Sequence, residues 1–311
     1  MYYFIVNPQS RSGKGAQIWR RLEVELKKST AEYQVYLTER PGHARELAAR
    51  LTSGQTEPAS SQVVVAVGGD GTLNEVLDGL HVSSQVTLGY IPTGSGNDFA
   101  RSMRIPKTPQ RALHRILHPR YFRFLDYGVL SCDICNINHR RFAVSSGIGF
   151  DAAVCQRLDA SAFKRFLCRI HLSKLSYIFI GLQSLFRMRR VSGQLILDGI
   201  KKIPLKDIAF LSTHVQKYEG GGFKFAPKAD PCDGQFDICV FSHVTRLKMI
   251  PPLLLAFVGM HTRCNIVRTY RCKELTVHME APCAVHADGE SLGLHSDVTL
   301  SCRTRQLRVI V

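Results

Sequence analysis

The 311 residues are 45% apolar and 21% charged, a globular composition that excludes disordered and collagen-like chains. As a prior, the length suggests about two domains. Lys and Arg number 41 against 25 Asp and Glu, a net charge of +16 that favours nucleic acid, a membrane surface or a polyphosphate as partner.

In chain order, the first third alternates strand and helix. Residues 2–6 are apolar and aromatic, hence a strand that starts the fold directly. Ile18, Leu22 and Leu26 recur at helical spacing between charges, predicting an amphipathic helix over residues 13–28. Residues 34–37 read as a second strand. Ala44, Leu47, Ala48 and Leu51 give a second helical stripe. A polar loop, residues 53–62, leads to the β-branched run 63–67, as expected of a strand buried on both faces. A helix over 72–80, a strand over 87–91 and a helix over 97–103 complete an α/β pattern with a parallel sheet.

The pattern changes near Arg120. From there short strands dominate, with a hairpin at Asp198-Gly199 and strand-like runs at 208–213, 236–241, 274–279 and 299–311. A helical segment over residues 152–190 and a shorter one around 245–259 interrupt them. The expected organisation is an α/β domain over residues 1–120 and a mainly β domain over 121–311. Residues 307–311 are free to return to either domain. No apolar run approaches the roughly 18 residues of a membrane span. The longest, residues 249–260, contains Pro251 and Pro252. The N-terminus lacks the basic start and cleavage site of a signal peptide. Ten Cys in such a chain predict reduced thiols in the cytoplasm. Cys132 and Cys135 form one CxxC, with no second pair at zinc spacing.

Three loops carry the local chemistry. Gly68-Gly69-Asp70-Gly71-Thr72 follows a strand and opens a helix. Glycines there allow close backbone approach, and the helix start offers unpaired N–H groups to phosphate. Asp70 is a candidate oxygen ligand for Mg²⁺; its plain alternative is a helix cap. Pro92-Thr93-Gly94-Ser95-Gly96-Asn97-Asp98 follows the next strand, with Asn97 or Asp98 as expected cap. The turn from Asn7 through Ser12 and Gly13 to Gly15 follows the first strand. Three such loops gather at the carboxyl edge of one sheet, where open α/β sheets bind ligands. Gly13-Lys14 is no Walker A loop, because Pro8 and Gly15 break the pattern. Phe99 breaks the dinucleotide fingerprint after Gly94-Ser95-Gly96.

These residues resemble the diacylglycerol kinase catalytic family, in particular the soluble bacterial lipid kinases. Further matching motifs are Gly147-Ile148-Gly149-Phe150-Asp151-Ala152, Gly220-Gly221-Gly222 with Ala226-Pro227, Asp233-Gly234 and Asp288-Gly289-Glu290. They span nearly the whole chain in the family's order. The resemblance implies an NAD kinase/diacylglycerol kinase-like fold, with ATP held between an α/β domain and a β-sandwich domain. It implies Mg²⁺-ATP as donor and a lipid hydroxyl as acceptor, with diacylglycerol becoming phosphatidate. A sphingoid, ceramide or monoacylglycerol acceptor stays open, as does NAD. By the same resemblance Asn7, Ser12, Thr38, Gly68, Gly69, Asp70, Gly71, Thr72, Leu73, Asn74 and Ser95 fall at nucleotide-contacting positions. Glu290 falls at the proton acceptor, with Asp288 beside it. Asp233, with the carbonyls of Asp230 and Gln235, matches a structural Mg²⁺ site.

The chemistry of Asp288-Gly289-Glu290 stands on its own as well. Two carboxylates on one turn at a strand end can raise one pKa towards a useful base. His286 has no obvious partner in the sequence and reads as a core or supporting residue. Residues 161–190 hold Lys164, Arg165, Arg169, Lys174, Arg187, Arg189 and Arg190 among aliphatics, with no Asp or Glu. That pattern fits either an interfacial helix on anionic lipid or a packed helix with a solvated basic face. The expectation is a cytoplasmic enzyme, peripheral at the inner membrane surface, as monomer or homodimer. No nucleic-acid module is present.

Overall fold

The computed structural model describes residues 1–53, 61–83, 85–132, 139–160, 183, 190–242, 245 and 247–311, with residues 156–160 as backbone only. The basic segment expected over residues 161–190 therefore falls almost wholly outside the described residues, as does Cys135. The chain divides into two compact units, Met1–Tyr127 with Arg303–Val311, and Gly128–Cys302.

The first unit is a parallel sheet clothed by helices. Its strands are β1 (Tyr2–Val6), β2 (Tyr33–Leu37), β3 (Gln62–Gly68) and β4 (Val86–Pro92). They lie in the order β2-β1-β3-β4, all parallel, and the end of β13 (Glu290–Ile310) adds a fifth strand beside β4. Phe4, Ile5, Val6, Val64, Val65, Ala66 and Leu88 are fully buried, because helices rather than solvent cover these runs. The helix Gly15–Leu26 buries Trp19, Leu22 and Leu26. The helix His43–Thr52 buries its predicted stripe of Ala44, Leu47, Ala48 and Leu51. A helix lies between each successive pair of β1–β4 and carries the chain back so that the strands run parallel.

The second unit is antiparallel. Its strands are β5 (Phe122–Cys132, from Gly128), β6 (His139–Phe142), β7 (Ser145–Gly149), β8 (Val191–Leu197), β9 (Lys201–His214), β10 (Phe236–Ser242), β11 (Val267–Cys272), β12 (Glu274–Ala287) and the first part of β13. Both long strands change partner midway. β9 pairs with β8 over Lys201–Ile208 and with β7 over Phe210–His214. β12 pairs with β8 over Leu275–Met279 and with β7 over Val285–Ala287. This exchange folds the sheet around a core of Leu130, Phe142, Leu195, Phe236, Val277 and Val285, giving the sandwich-like form. The predicted hairpin turns at Asp198 and Gly199, both at positive φ, with Ile200 completing a three-residue loop between the paired Leu197 and Lys201. The helix expected near 245–259 is Ile250–Ala256. Among the described residues no helix is long and apolar enough to cross a membrane.

Candidate active site

In the first unit the three glycine-rich loops meet after β1, β3 and β4. The Asn7 amide donates to the Val67 carbonyl (2.9 Å), and the Thr93 amide donates to the Gly68 carbonyl (2.7 Å). Asn7 Nδ2 donates to Thr72 Oγ1 at 3.0 Å. Ser10 Oγ and Thr93 Oγ1 share a buried hydrogen bond of 2.8 Å. A Cβ on Gly94 would lie 2.6 Å from the Gly69 Cα, so only glycine lets these two backbones touch. The result is a close approach of two main-chain segments at the ends of β3 and β4.

Asp70 has a role the sequence placed elsewhere. Its carboxylate accepts the Asp98 amide (3.2 Å) and the Phe99 amide (3.4 Å). It therefore caps the helix Asp98–Met103 from 28 positions upstream. Asn97 makes no side-chain cap bond, and Asp98 Oδ1 accepts from Arg101 at 2.7 Å. Asn97 instead closes its own loop, accepting from the Gly94 amide at 3.1 Å and donating to the Gly94 carbonyl at 2.9 Å. Ser12, in a left-handed turn, and Ser95 are exposed, and the Thr38 amide donates to the Val6 carbonyl (2.8 Å). Thr72, Leu73 and Asn74 are buried on the inner face of their helix. Thr72 ties this helix to the first loop through its hydrogen bond with Asn7. Ser10 and Thr93 are additional polar members of this site, and their only signal in sequence was a hydroxyl inside a glycine-rich loop.

In the second unit, Asp288-Gly289-Glu290 joins β12 to β13. The two acids do not share a proton, because they face different partners. Asp288 accepts the amides of Ala143 (2.7 Å), Val144 (2.8 Å) and Ser145 (2.9 Å). Its own amide donates to the Ser145 carbonyl at 2.8 Å. Asp288 is thus the bolt that fixes the turn to β7, at positive φ. Glu290 lies 2.7 Å from Arg140 on β6, a pair that holds one carboxylate oxygen and orients the other.

His286 supports the same turn from beneath. The Gly289 amide donates to its Nδ1 at 3.1 Å, which places the ring proton on Nε2. That nitrogen lies 3.4 Å from Asp151 Oδ2 and 3.3 Å from Glu219 Oε1. His214 stands beyond, its Nε2 3.5 Å from Glu219 Oε2 and 2.9 Å from Ser212 Oγ. Gly147 faces His286 across the β7–β12 pair, and a Cβ there would come within 1.9 Å of Asp151 Oδ2. Burial holds the His214 pKa down at about 4. Burial opposes ionisation of Glu219, yet His286 and His214 outweigh it and hold its pKa at about 2. Burial disfavours charge on His286, while Cys155 and the two carboxylates favour it and raise its pKa; the Gly289 amide on Nδ1 is what keeps the ring neutral in this geometry. A second proton, on Nδ1, would repel the Gly289 amide, so charging the ring competes with the geometry of the turn. Glu219 carried no sequence signal beyond its place beside Gly220-Gly221-Gly222, and Arg140 carried none.

Asp151, Glu219 and His286 offer donor atoms within 4.8 Å of one another, a set able in composition to hold a divalent ion. The tautomer opposes this, since a metal on Nε2 would require the proton on Nδ1, where the Gly289 amide already points. At the other expected metal position, Asp233 Oδ1 accepts the Gln235 amide (3.0 Å) and Oδ2 pairs with Arg271. Asp230 Oδ1 accepts the Cys232 amide at 3.1 Å. A cation there competes with Arg271 for the same carboxylate oxygen.

Residues 1–124 match the family model of the diacylglycerol kinase catalytic domain. Residues 143–311 match that of the YegS C-terminal NAD kinase β-sandwich-like domain. A candidate lipid kinase of Bacillus subtilis (strain 168), YtlR, is 30% identical over 300 residues, covering 94% of each chain. A diacylglycerol kinase of Mycobacterium tuberculosis (strain ATCC 25618 / H37Rv) is 30% identical over 79% of this chain and 74% of its own. In fold, the chain resembles the crystal structure of a candidate diacylglycerol kinase from Bacillus anthracis str. Sterne. Its TM-score is 0.77 at 21% identity, over 99% of this chain and 94% of that one. With both units matched and the relatives aligned along most of its length, this chain belongs to the diacylglycerol kinase catalytic-domain family, a family of lipid kinases.

Proposed function

We propose that the chain transfers the γ-phosphate of ATP to the free hydroxyl of diacylglycerol, giving phosphatidate. Phosphoryl transfer needs little covalent chemistry from a protein; it needs positioned phosphates, neutralised charge and a proton acceptor near the attacking hydroxyl. The amide-lined loops around Gly68, Gly69, Gly71 and Gly94 supply the first, with Asn7, Ser12, Thr38 and Ser95 as polar neighbours of the nucleotide. Bound with ATP, Mg²⁺ would neutralise phosphate charge. The Asp70 carboxylate, a hard oxygen donor at the start of the Gly68–Thr72 loop helix, suits such a cation. Glu290 accepts the hydroxyl proton, and Asp288 and His286 keep its turn in place.

The observation that carries this reading is the division of labour between the two acids. Asp288 accepts three backbone amides, whereas Glu290 is paired with the Arg140 guanidinium. A turn that needed only stability would not require the second carboxylate. The test is phosphate transfer from labelled ATP to a mixed pool of diacylglycerol, ceramide, sphingoid base and monoacylglycerol in micelles, with NAD in a parallel reaction. Labelled phosphatidate is the expected product. Label in another lipid moves the assignment to that acceptor, and label in NAD alone overturns it.

A further inference from the structure

The sequence pointed to residues 161–190 for membrane contact. A different surface, used by none of the assignments above, has the properties of a docking face. The 3₁₀ turn Leu247–Met249 runs directly into the helix Ile250–Ala256. On one side Met249 and Ala256 are buried against Phe210, Phe225 and Phe241. On the other side Leu247, Leu254 and Val258 are 67%, 63% and 61% exposed. Their spacing puts them on one face, with exposed Pro251 between. Phe257 and Met260 extend the face past the helix end.

A surface helix ordinarily turns charge towards water. This one is apolar on both sides, and contiguous exposed apolar residues mark an interaction site. The surrounding charge selects the partner. Residues 242–273 contain no Asp or Glu but carry Arg246, Lys248, Arg263 and Arg268. Lys248, Arg263 and Arg268 are exposed. An apolar stripe on a stretch whose own charges are all cationic repels a second copy of itself and suits an anionic lipid surface. The face is also continuous with the interior of its unit. Phe257 stacks on Phe223 at 3.8 Å, and Phe223 on Phe225 at 5.4 Å. Phe225 lies 6.2 Å from His214, which borders the buried cluster under Gly289.

We propose that residues 247–260 form a membrane-docking face that inserts Leu247, Leu254 and Val258 among the lipids of an anionic bilayer. The proposal deepens the lipid-kinase reading, and its primary test does not depend on that reading. Sedimentation with phosphatidylcholine vesicles, with and without phosphatidylglycerol, is compared for the wild type, Leu254→Gln/Val258→Gln and Lys248→Gln/Arg263→Gln. The wild type is expected to bind the anionic vesicles, less well at high salt. Each double variant is expected to lose about tenfold or more in partition while keeping the wild-type melting temperature. With a water-soluble short-chain diacylglycerol all three turn over alike; with diacylglycerol in vesicles the variants slow in step with their binding. Absence of wild-type binding, or unchanged binding by the variants, overturns the proposal. So does a wild-type dimer that Leu254→Gln/Val258→Gln converts to monomer, which would make the face a contact between copies. Vesicle binding without phosphorylation of any acceptor refutes the kinase reading and leaves the docking face standing.

Discussion

In the first unit the candidate site is made of backbone. Glycines after three parallel strands clear side chains away, and the contacts that hold the loops together are short amide and hydroxyl hydrogen bonds. In the second unit the candidate site is made of side chains. The buried His214 and His286 and the half-buried Asp151 and Glu219 support one turn, and Asp288 bolts that turn to β7. The first arrangement suits a ligand that brings its own charge, such as a polyphosphate. The second suits a reaction that needs one proton acceptor held in place. Backbone sites tolerate loss of a single side chain, whereas a buried ionic cluster does not.

The largest expected effect is at the tip of the second site. Glu290→Gln should lower turnover by about 10²–10⁴, the usual range for removing a general base. ATP-dependent thermal stabilisation should persist in that variant. Near-normal turnover would remove Glu290 from the mechanism and leave the first unit as the centre of the chemistry. Beneath the tip, Gly147→Ala would push a methyl into the Asp151–His286 contact. Both are side-chain ends and can move, so a loss of roughly 1–3 kcal/mol in unfolding free energy is expected rather than collapse. A variant as stable and as active as the wild type would show that the cluster does not position the turn.

The cluster should also make the protein acid-sensitive. His214 sits at about 4 in the folded protein, so below its ordinary value near 6.5 the unfolded chain binds the extra proton. Stability is therefore lost as pH falls from about 6.5 towards 4. Glu219, held at about 2, gives stability that is lost further down, below about 4.5. Between pH 6 and pH 4.5 denaturant melts should show a fall of roughly 2 kcal/mol, flattened in His214→Asn. A pH-independent melt over that range would mean the cluster is not closed to water.

The smallest effect belongs to the first unit. Asp70→Ala removes a cap and should cost about 1 kcal/mol in stability, while abolishing stabilisation by Mg²⁺-ATP. If nucleotide stabilisation survives, Asp70 is only a cap, and the backbone alone accounts for phosphate binding.

The sequence alone determined the fold class, the element order of the first unit as far as the helix Asp98–Met103, and the presence of its three loops. Those features are local: a β-branched run, a glycine turn and a helical stripe each lie within about a dozen residues, where period and turn chemistry can be read. It also exposed the Asp-Gly turns, because few residues accept positive φ. Tertiary structure alone decided what the named side chains do. Asp70 became the cap of another helix, Leu73 and Asn74 turned inward, and Asp288 and Glu290 parted to different partners. Glu219 and His286 stand 67 positions apart in the chain, and Arg140 and Glu290 stand 150 apart. Such pairs are created by strands exchanging partners within a sheet, and no local period records them.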